Sequence, residues 1–278
     1  VDAAALDAAS EQLTELTSQA LLDGLLLDGY QNPQTDYSYY QMTLSGENKS
    51  LDDYLTGQTQ ALVQNAVDTV RSVDAGLPIG LAVDSVWATA EETADGMPLA
   101  CSTTSLGTYH ADTLGMLEQG LCDFVLVKNY HALNNSSVPF AEVADWWNTA
   151  LEPLQTTAYM GQASSLGATW QDGWGSSREL ADQWQSLQEQ ETFSGSVLNS
   201  LDAMVNDSNY TAYHLTQLWE GAPSQDTATA QAEEQAVGSY HEVEDQYAGA
   251  LLSKVKPAGS YSVADGDTIQ ISAVAPKG

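Results

Sequence analysis

The sequence predicts an α/β fold in which helices cover a parallel sheet. Five strand-loop-helix units follow one another between residues 25 and 218, the pattern that builds such sheets. The segments before the strands are short and the segments after them are long. Long loops on that side alone are typical of a (β/α) barrel, in which they form the functional rim. Five units cannot close an eight-stranded barrel, so either the sheet is open or the first strands lie outside this chain.

Short apolar runs predict the five strands. The first is the run LLLDGY, which contains Asp28, and the second ends just before Asp84. Their continuous apolar character indicates strands that are buried on both faces. The predicted strands cover residues 25–30, 79–83, 122–130, 156–161 and 195–199.

Apolar residues at helical spacing predict helices before and between these strands. Ser50, followed by Asp52 and Asp53, has the pattern of an N-cap with acids in the first turn. Gly120 ends the helix that precedes the third strand. The predicted helices cover residues 3–21, 50–73, 110–119, 140–151, 178–190 and 210–218.

The last part of the chain has a different pattern. Residues 222–256 are predicted to form a linker and a helix, because their first half contains few bulky apolar residues. Residues 257–278 alternate apolar and polar side chains around Asp265-Gly266, which indicates an antiparallel hairpin. We therefore predict a barrel portion over residues 1–221, then the linker and helix, then the start of an immunoglobulin-like β-sandwich module. Further domains of the same polypeptide are expected.

The charge of the chain excludes two classes of partner. Lys and Arg total 7 against 38 Asp and Glu, for a net charge of −31, although only 16% of residues are charged. Such a surface repels nucleic acid and anionic membranes, and no apolar run is long enough to predict membrane insertion. A neutral polysaccharide suits a surface rich in Asn, Gln, Ser and Thr.

Sequence motifs for cofactors and metals are absent, so we predict neither. The chain has no GxGxxG after a strand, no P-loop, no HExxH, no GxSxG and no EF-hand register. Cys101 and Cys122 show no metal spacing and are either paired or free. The chain begins at Val1 without a signal segment, which suggests a processed or excerpted form.

Two acids are the best candidates for catalysis. Glycoside hydrolysis needs two carboxyl groups that face each other across the scissile bond. Asp28 and Asp84 end consecutive strands on the rim that carries the long loops, so we expect them to lie near one sugar ring. The alternative is that they cap the following loops. Asp23 and Asp123 precede their strands, so we expect structural roles for them at the opposite edge.

Polar and aromatic residues after the strands are candidates for substrate binding. Lys128 ends the third strand and could hold a carboxylate ionised, bind an acidic sugar substituent or form a simple salt bridge. Aromatic faces stack on sugar rings, although each aromatic alone is more often a packing residue. The predicted substrate-binding residues are Tyr30, Trp87, Lys128, Asn129, Tyr130, His131, Gln162, Trp170, Trp174 and Asn199.

A succession of motifs resembles the glycosyl-hydrolase-like family ten of bacterial glycosidases. The motifs are LLLDGYQNP, LPIGLAVDSVW, YHADTLGMLEQGLCDFVLVKNY, the pair Trp146-Trp147, AYMGQASS and GSVLNS, over roughly residues 10–220. The resemblance implies a (β/α)8 barrel of which this chain covers about strands 4 to 8. It also implies a secreted or cell-envelope enzyme that acts on bacterial cell-wall glycan and is often followed by β-sandwich modules.

Several positions match the family motifs and three depart from them. The matching positions are Asp23-Gly24, Asp28, Tyr30, Trp87, Asp112-Thr113, Asp123, Tyr130 and Gly161-Gln162. Gly29 replaces the second acid of a paired-Asp motif, Lys128-Asn129 replaces a Pro-Gln pair, and Asp84 stands where the family tends to have Ser. We therefore expect a glycoside hydrolase of an extracellular or cell-wall polysaccharide. The alternatives are a carbohydrate-binding or scaffold module without turnover and, more weakly, an acidic structural protein of a surface assembly.

Overall fold

The fold was established from a computed structural model of the 278-residue chain, which describes residues 3–19, 22–30, 43, 46, 49–167, 173–207 and 209–219. The strands are β1 (Leu25–Leu27), β2 (Ile79–Asp84), β3 (Phe124–Lys128), β4 (Thr157–Gln162) and β5 (Phe193–Leu198). The helices of the described segments are α1 (Ala3–Gln19), α2 (Leu51–Val73), α3 (Ser105–Tyr109), α4 (Thr113–Glu118), α5 (Phe140–Leu151), α6 (Ser164–Gly167), α7 (Glu179–Leu187), α8 (Leu201–Val205) and α9 (Thr211–Trp219).

The five strands form one parallel sheet in the order β1-β2-β3-β4-β5. Each strand therefore pairs with the next strand along the chain. This arrangement confirms the predicted α/β fold with a parallel five-stranded sheet. A doubly wound sheet would instead reverse its strand order at a switch point, and these five strands contain no reversal.

The two faces of the sheet have different surroundings. Side chains alternate between the two faces along each strand, so Ile79, Leu81 and Val83 of β2 lie on one face. These three residues are fully buried in a core that includes Val63, Val67 and Val70 of α2 and Phe140, Val143 and Trp147 of α5. We call this side the helix-covered face.

The other side of the sheet, which we call the open face, carries a different set of residues. Its members are Leu26, Gly80, Ala82, Phe124, Leu126, Tyr159 and Val197. Leu26 and Val197, on the two edge strands, are 40% and 42% exposed. Phe124 lies directly over Gly80, and its ring meets that of Tyr159 edge to face. The open face is thus apolar and only partly covered within the described chain.

The helix boundaries follow local capping chemistry. The Ser50 hydroxyl accepts a hydrogen bond from the Asp53 amide at 3.0 Å, as the N-cap pattern predicted. The helix predicted over 110–119 instead begins at Thr113, because Asp112 caps it and His110 has a left-handed backbone with φ 51°. The loops that follow β2, β4 and β5 contain the short helices α3, α6 and α8, which apolar periodicity did not predict.

Several predictions fall on parts of the chain that the structure does not describe. The linker and helix of 222–256, the β-sandwich start of 257–278 and Trp170 all lie outside the described residues.

Cys101 and Cys122 are free thiols, and burial raises the pKa of Cys122 to about 11. No described helix has the length and apolar character needed to cross a bilayer. The described His, Cys, Asp and Glu residues form no cluster that could hold a metal ion.

Candidate functional site

Three charged side chains meet where the first three strands end. Asp28 directly follows β1, Asp84 is the last residue of β2, and Lys128 is the last residue of β3. The Lys128 Nζ lies 2.8 Å from Asp28 Oδ1 and 3.6 Å from Asp84 Oδ1. These two carboxylate oxygens are therefore at most 6.4 Å apart, which is the sum of the two distances. We call Asp28, Lys128 and Asp84 the ion triplet.

The register of the sheet explains this meeting. Asp84 and Lys128 are paired directly across β2 and β3, so their side chains leave the sheet on the same side. Ala82 precedes them on this face and carries only a methyl group, which leaves space for Asp28 and Lys128 to meet above β2. The triplet therefore lies at the carboxyl edge of the sheet, on the open face, where parallel sheets carry their sites.

The electrostatics of the triplet keep Asp28 ionised. Partial burial acts to raise the pKa of Asp28, but hydrogen bonds from Lys128 and from the Gly29 amide outweigh it and lower the pKa. For Lys128, partial burial acts to lower the pKa, and the Asp28 hydrogen bond with the charges of Asp84 and Asp28 raises it. The side chain of Asp28 is 53% exposed, that of Asp84 30% and that of Lys128 20%. A ligand at this edge would therefore meet the carboxylates before the ammonium group.

Tyr130 is the predicted aromatic residue that lies beside the triplet. An electrostatic interaction with Tyr130 is the smallest of the causes that raise the pKa of Lys128, which indicates that the two side chains are close. The Tyr130 ring reaches β4 because Gly161 has no side chain, and a Cβ there would stand 3.3 Å from Tyr130 Cε1. Tyr130 is partly exposed, so its ring is available at the carboxyl edge.

Three other predicted aromatic residues have packing roles instead. Tyr30, Trp87 and Trp174 are only 7%, 7% and 4% exposed, so other parts of the protein cover their faces. The Tyr30 hydroxyl donates to the Ala82 carbonyl at 2.9 Å. Trp87 donates to Asp112 Oδ1 at 3.1 Å and stacks on Trp146 with ring centroids 5.8 Å apart. Contact of these rings with a sugar stays a prediction, and their observed contacts are with the protein itself.

Asn129 and Gln162, two further predicted substrate-binding residues, form hydrogen bonds with helix backbones. Both residues are fully buried. The Asn129 amide group donates to the Phe140 carbonyl at 3.0 Å, and the Gln162 amide group donates to the Leu180 carbonyl at 3.1 Å. These bonds fix the ends of β3 and β4 to α5 and α7. Their burial leaves no route for a sugar to reach them.

Asn199 and His131 have different positions at the carboxyl edge. Asn199 follows β5 and is exposed, while its backbone amide donates to the Gln162 carbonyl at 2.9 Å. His131 lies in the loop after β3, where its Nε2 is 3.1 Å from the Ser85 hydroxyl. Burial lowers the pKa of His131. Ser85 was not among the predicted site residues, although its position directly after the strand-end acid Asp84 could have indicated it.

Comparisons with known proteins give a sequence relative and a fold relative. The chain is 26% identical over 163 residues to the glycosyl hydrolase DigH of Escherichia coli K12, and equally to that of Shigella flexneri. The match covers 54% of this chain and 35% of the relative, so the chain spans about a third of the relative's length. No family model matches the chain.

The fold comparison finds a glycoside hydrolase domain. The domain is that of PgaB (BpsB) from Bordetella bronchiseptica, with a TM-score of 0.50 and 13% sequence identity. The alignment covers 76% of this chain and 61% of that domain. At this identity the likeness concerns the fold alone. The chain is thus glycosidase-like: it resembles a glycosyl hydrolase in sequence and shares its α/β fold with a glycoside hydrolase domain.

Proposed function

We propose that the carboxyl edge of the sheet hydrolyses glycosidic bonds in a polysaccharide. The observation that carries this proposal is the ion triplet, which brings carboxylates from successive strands within 6.4 Å of each other, the sum of their distances to Lys128. Asp28 and Asp84 are 56 positions apart along the chain, so only the parallel register makes them neighbours. Two facing carboxyl groups are the minimum machinery of glycoside hydrolysis.

The two carboxyl groups have distinct roles in this proposal. Asp28, held ionised by Lys128, attacks or stabilises the sugar carbon. Asp84, whose oxygen lies farther from the ammonium group, is the second carboxyl group of the pair, on the side of the leaving oxygen. Retaining enzymes separate their carboxyl groups by about 5 to 5.5 Å and inverting enzymes by about 6.5 to 9.5 Å. The upper limit on the Asp28–Asp84 oxygen distance favours the retaining geometry.

The substrate in this proposal is the glycan of an extracellular or cell-wall polysaccharide. The net charge of −31 disfavours strongly anionic polymers. Tyr130, beside the triplet, provides the aromatic face on which a sugar ring stacks. The sequence relative is a glycosyl hydrolase, which supports the reaction class. An extracellular or cell-envelope location is part of the same proposal.

We propose that the sheet is the second part of a (β/α)8 barrel, corresponding to about strands 4 to 8. The strand order supports this, because each strand pairs with the next strand along the chain, and this arrangement places all the helices on the outside of a barrel. The apolar open face supports it too, since the interior of a barrel is filled by such side chains. We also propose that a β-sandwich module begins at residue 257, because the sequence of residues 257–278 supports it.

The decisive experiment compares two isosteric substitutions at opposite edges of the sheet. We expect Asp28→Asn to abolish the release of reducing ends from peptidoglycan glycan strands and neutral glucans, while the far-ultraviolet circular dichroism is unchanged. Asp123→Asn is the matched control, because Asp123 also contacts a cation, Arg71, at 3.4 Å but lies at the amino edge. The measurement uses the full-length polypeptide. Unchanged turnover in Asp28→Asn, or equal loss in both variants, would reject the assignment.

A second candidate function is a carbohydrate-binding or scaffold module without turnover. The specific observation in its favour is that Lys128 pairs with both carboxylates, which is also how a structural ion pair would look. This candidate predicts glycan binding without release of reducing ends. Wild-type protein that binds glycan strands in a pull-down but yields no new reducing ends would favour it over hydrolysis.

A further inference from the structure

A serine and a histidine form a second pair of reactive side chains at the carboxyl edge. Ser85 directly follows β2, and His131 lies in the loop after β3. The Ser85 Oγ is 3.1 Å from His131 Nε2, within the range of a nucleophile and its base. Both residues are partly exposed. The glycosidase proposal assigns no step to this pair.

Helix side chains hold both members of the pair by their backbones. The Trp147 indole of α5 donates to the Ser85 carbonyl at 2.8 Å. The Gln183 amide of α7 donates to the His131 carbonyl at 3.0 Å, and Gln183 is fully buried. Gln183 also donates to Glu179, whose carboxylate accepts the Leu133 amide at 2.6 Å. The two loops are therefore fixed by residues of the core, which preorganises the contact.

The surroundings of the pair suit proton transfer from Ser85 to His131. Burial lowers the pKa of His131, so the ring is mostly neutral at pH 7. In the tautomer with a proton on Nδ1, Nε2 accepts a hydrogen bond from the Ser85 hydroxyl.

We propose that Ser85 is a nucleophile toward short-chain O-acyl esters, with His131 as its general base. The Ser85 oxygen attacks the ester carbonyl carbon while His131 Nε2 takes the hydroxyl proton. The tetrahedral oxyanion then expels the alcohol oxygen, which receives that proton from His131. Water, deprotonated by His131, attacks the acyl-Ser85 carbonyl and releases the carboxylic acid, and the proton returns to Ser85. A short acyl group is expected because the pair is only partly exposed.

The chain provides its own matched control for this proposal. Ser177 Oγ lies 3.1 Å from His214 Nε2, so the distance is the same as in the Ser85–His131 pair. In the second pair, however, the Arg178 guanidinium lies 3.4 Å from His214 Nδ1, and because a guanidinium can only donate, Nδ1 is the acceptor, so Nε2 carries the ring proton and cannot take one from Ser177. We therefore expect the second pair to be unreactive.

The experiment is covalent labelling with an alkyl fluorophosphonate, followed by peptide mass mapping and by p-nitrophenyl acetate hydrolysis. We expect one adduct, on Ser85, and a loss of about 100-fold in hydrolysis for Ser85→Ala and for His131→Gln. Ser177→Ala should retain the wild-type rate. If His131→Gln fails to fold, Ser85→Ala still decides the matter, because it removes a single oxygen.

The results that would overturn the proposal are equally definite. Native protein that is not labelled at Ser85, labels Ser177 equally, or hydrolyses the ester unchanged after Ser85→Ala would refute it. The assay contains no glycan, so its outcome is independent of whether the protein cleaves glycosidic bonds.

Discussion

The two edges of the sheet use the same kind of contact in different ways. At the amino edge, Asp123 precedes β3, and its Oδ1 lies 3.4 Å from the Arg71 guanidinium of α2. Its other oxygen accepts the backbone amide of Ile79, the first residue of β2, at 2.9 Å. At the carboxyl edge, the Lys128 ammonium group is shared between two carboxylates. Both edges therefore pair Asp with a cation, and at the amino edge a hydrogen bond also ties the carboxylate to the backbone of a neighbouring strand.

The Asp123 contact has a clear structural role, whereas stability alone does not explain the Asp28 contact. Ile79 is fully buried, so loss of Asp123 would leave its amide without a partner. The Asp28 carboxylate bonds only Lys128 and its own neighbour Gly29, and its side chain is 53% exposed. Exposed ion pairs contribute at most about 1 kcal/mol. A cluster with so little structural value, at the edge where parallel sheets carry their sites, is consistent with the catalytic role that we propose for it.

The largest expected effect comes from removing the cation at each edge. We expect Lys128→Met to lower kcat/KM for glycan cleavage by about 100-fold, because the carboxylates lose the group that positions them. Arg71→Met, the matched substitution at the amino edge, should keep the wild-type value. Reducing-end assays on the two variants make the comparison. Equal activity in both variants would mean that Lys128 has no part in catalysis.

The next effect distinguishes the glycines of the open face. A Cβ on Gly80 would stand 2.0 Å from the Phe124 ring, so we expect Gly80→Ala to lower the free energy of unfolding by about 2 kcal/mol. A Cβ on Gly161 would stand 3.1 Å from the Val127 carbonyl oxygen, 3.2 Å from Lys128 Cα and 3.3 Å from Tyr130 Cε1, longer distances than at Gly80. Gly161→Ala should therefore lower the free energy of unfolding by less than Gly80→Ala and, by displacing Lys128 and Tyr130, also lower the rate of glycan cleavage. Urea denaturation and reducing-end assays test both, and the reverse ranking would contradict our account of the open face.

A smaller effect tests the structural role of Asp123. We expect Asp123→Ala to lower the free energy of unfolding by about 1 kcal/mol, because the Ile79 amide loses its acceptor while water at the edge replaces part of the bond. Asp28→Ala should have less effect on unfolding, since its main partner is an exposed ion pair. Urea unfolding of both variants measures the difference. Greater destabilisation by Asp28→Ala would reverse the roles that we assign to the two edges.

Local sequence was sufficient for much of the fold. Each strand is a short apolar run, and α5 was predicted at the bounds observed, Phe140–Leu151. The convergence of Asp28 and Asp84 also followed from sequence, because the ends of parallel strands meet at one edge. The short helices α3 and α8 were not predicted, since five residues are too few to show a helical period.

The burial of several predicted site residues depends on partners that are distant in sequence. Trp87 has the sequence position of a rim aromatic, but Asp112 and Trp146 cover it. The Ser85–His131 contact joins residues 46 positions apart, so neither residue alone indicated it. Gln162 ends a strand just as Asp84 does, and its burial beneath α7 is a result of packing. Sequence thus predicts which residues reach the carboxyl edge but not which of them remain accessible there.

The smallest expected effect is the pH dependence of the Lys128 contribution to stability. The folded-state pKa of Asp28 lies below its unfolded value near 3.8, so its stabilising contribution is present above that value and is lost as pH falls through the folded pKa. The folded pKa of Lys128 is raised above 10.5, so its own contribution is present below 10.5 and is lost as pH rises through the folded value. We therefore expect wild-type protein to exceed Lys128→Met in unfolding free energy by about 0.5 kcal/mol at neutral pH, with the difference vanishing as pH falls through the folded pKa of Asp28. Urea titrations at a series of pH values measure this difference, and added salt should reduce it. A difference that stays constant from neutral to acidic pH would show that Lys128 stabilises the fold through packing of its methylene groups, and that its contact with Asp28 contributes nothing.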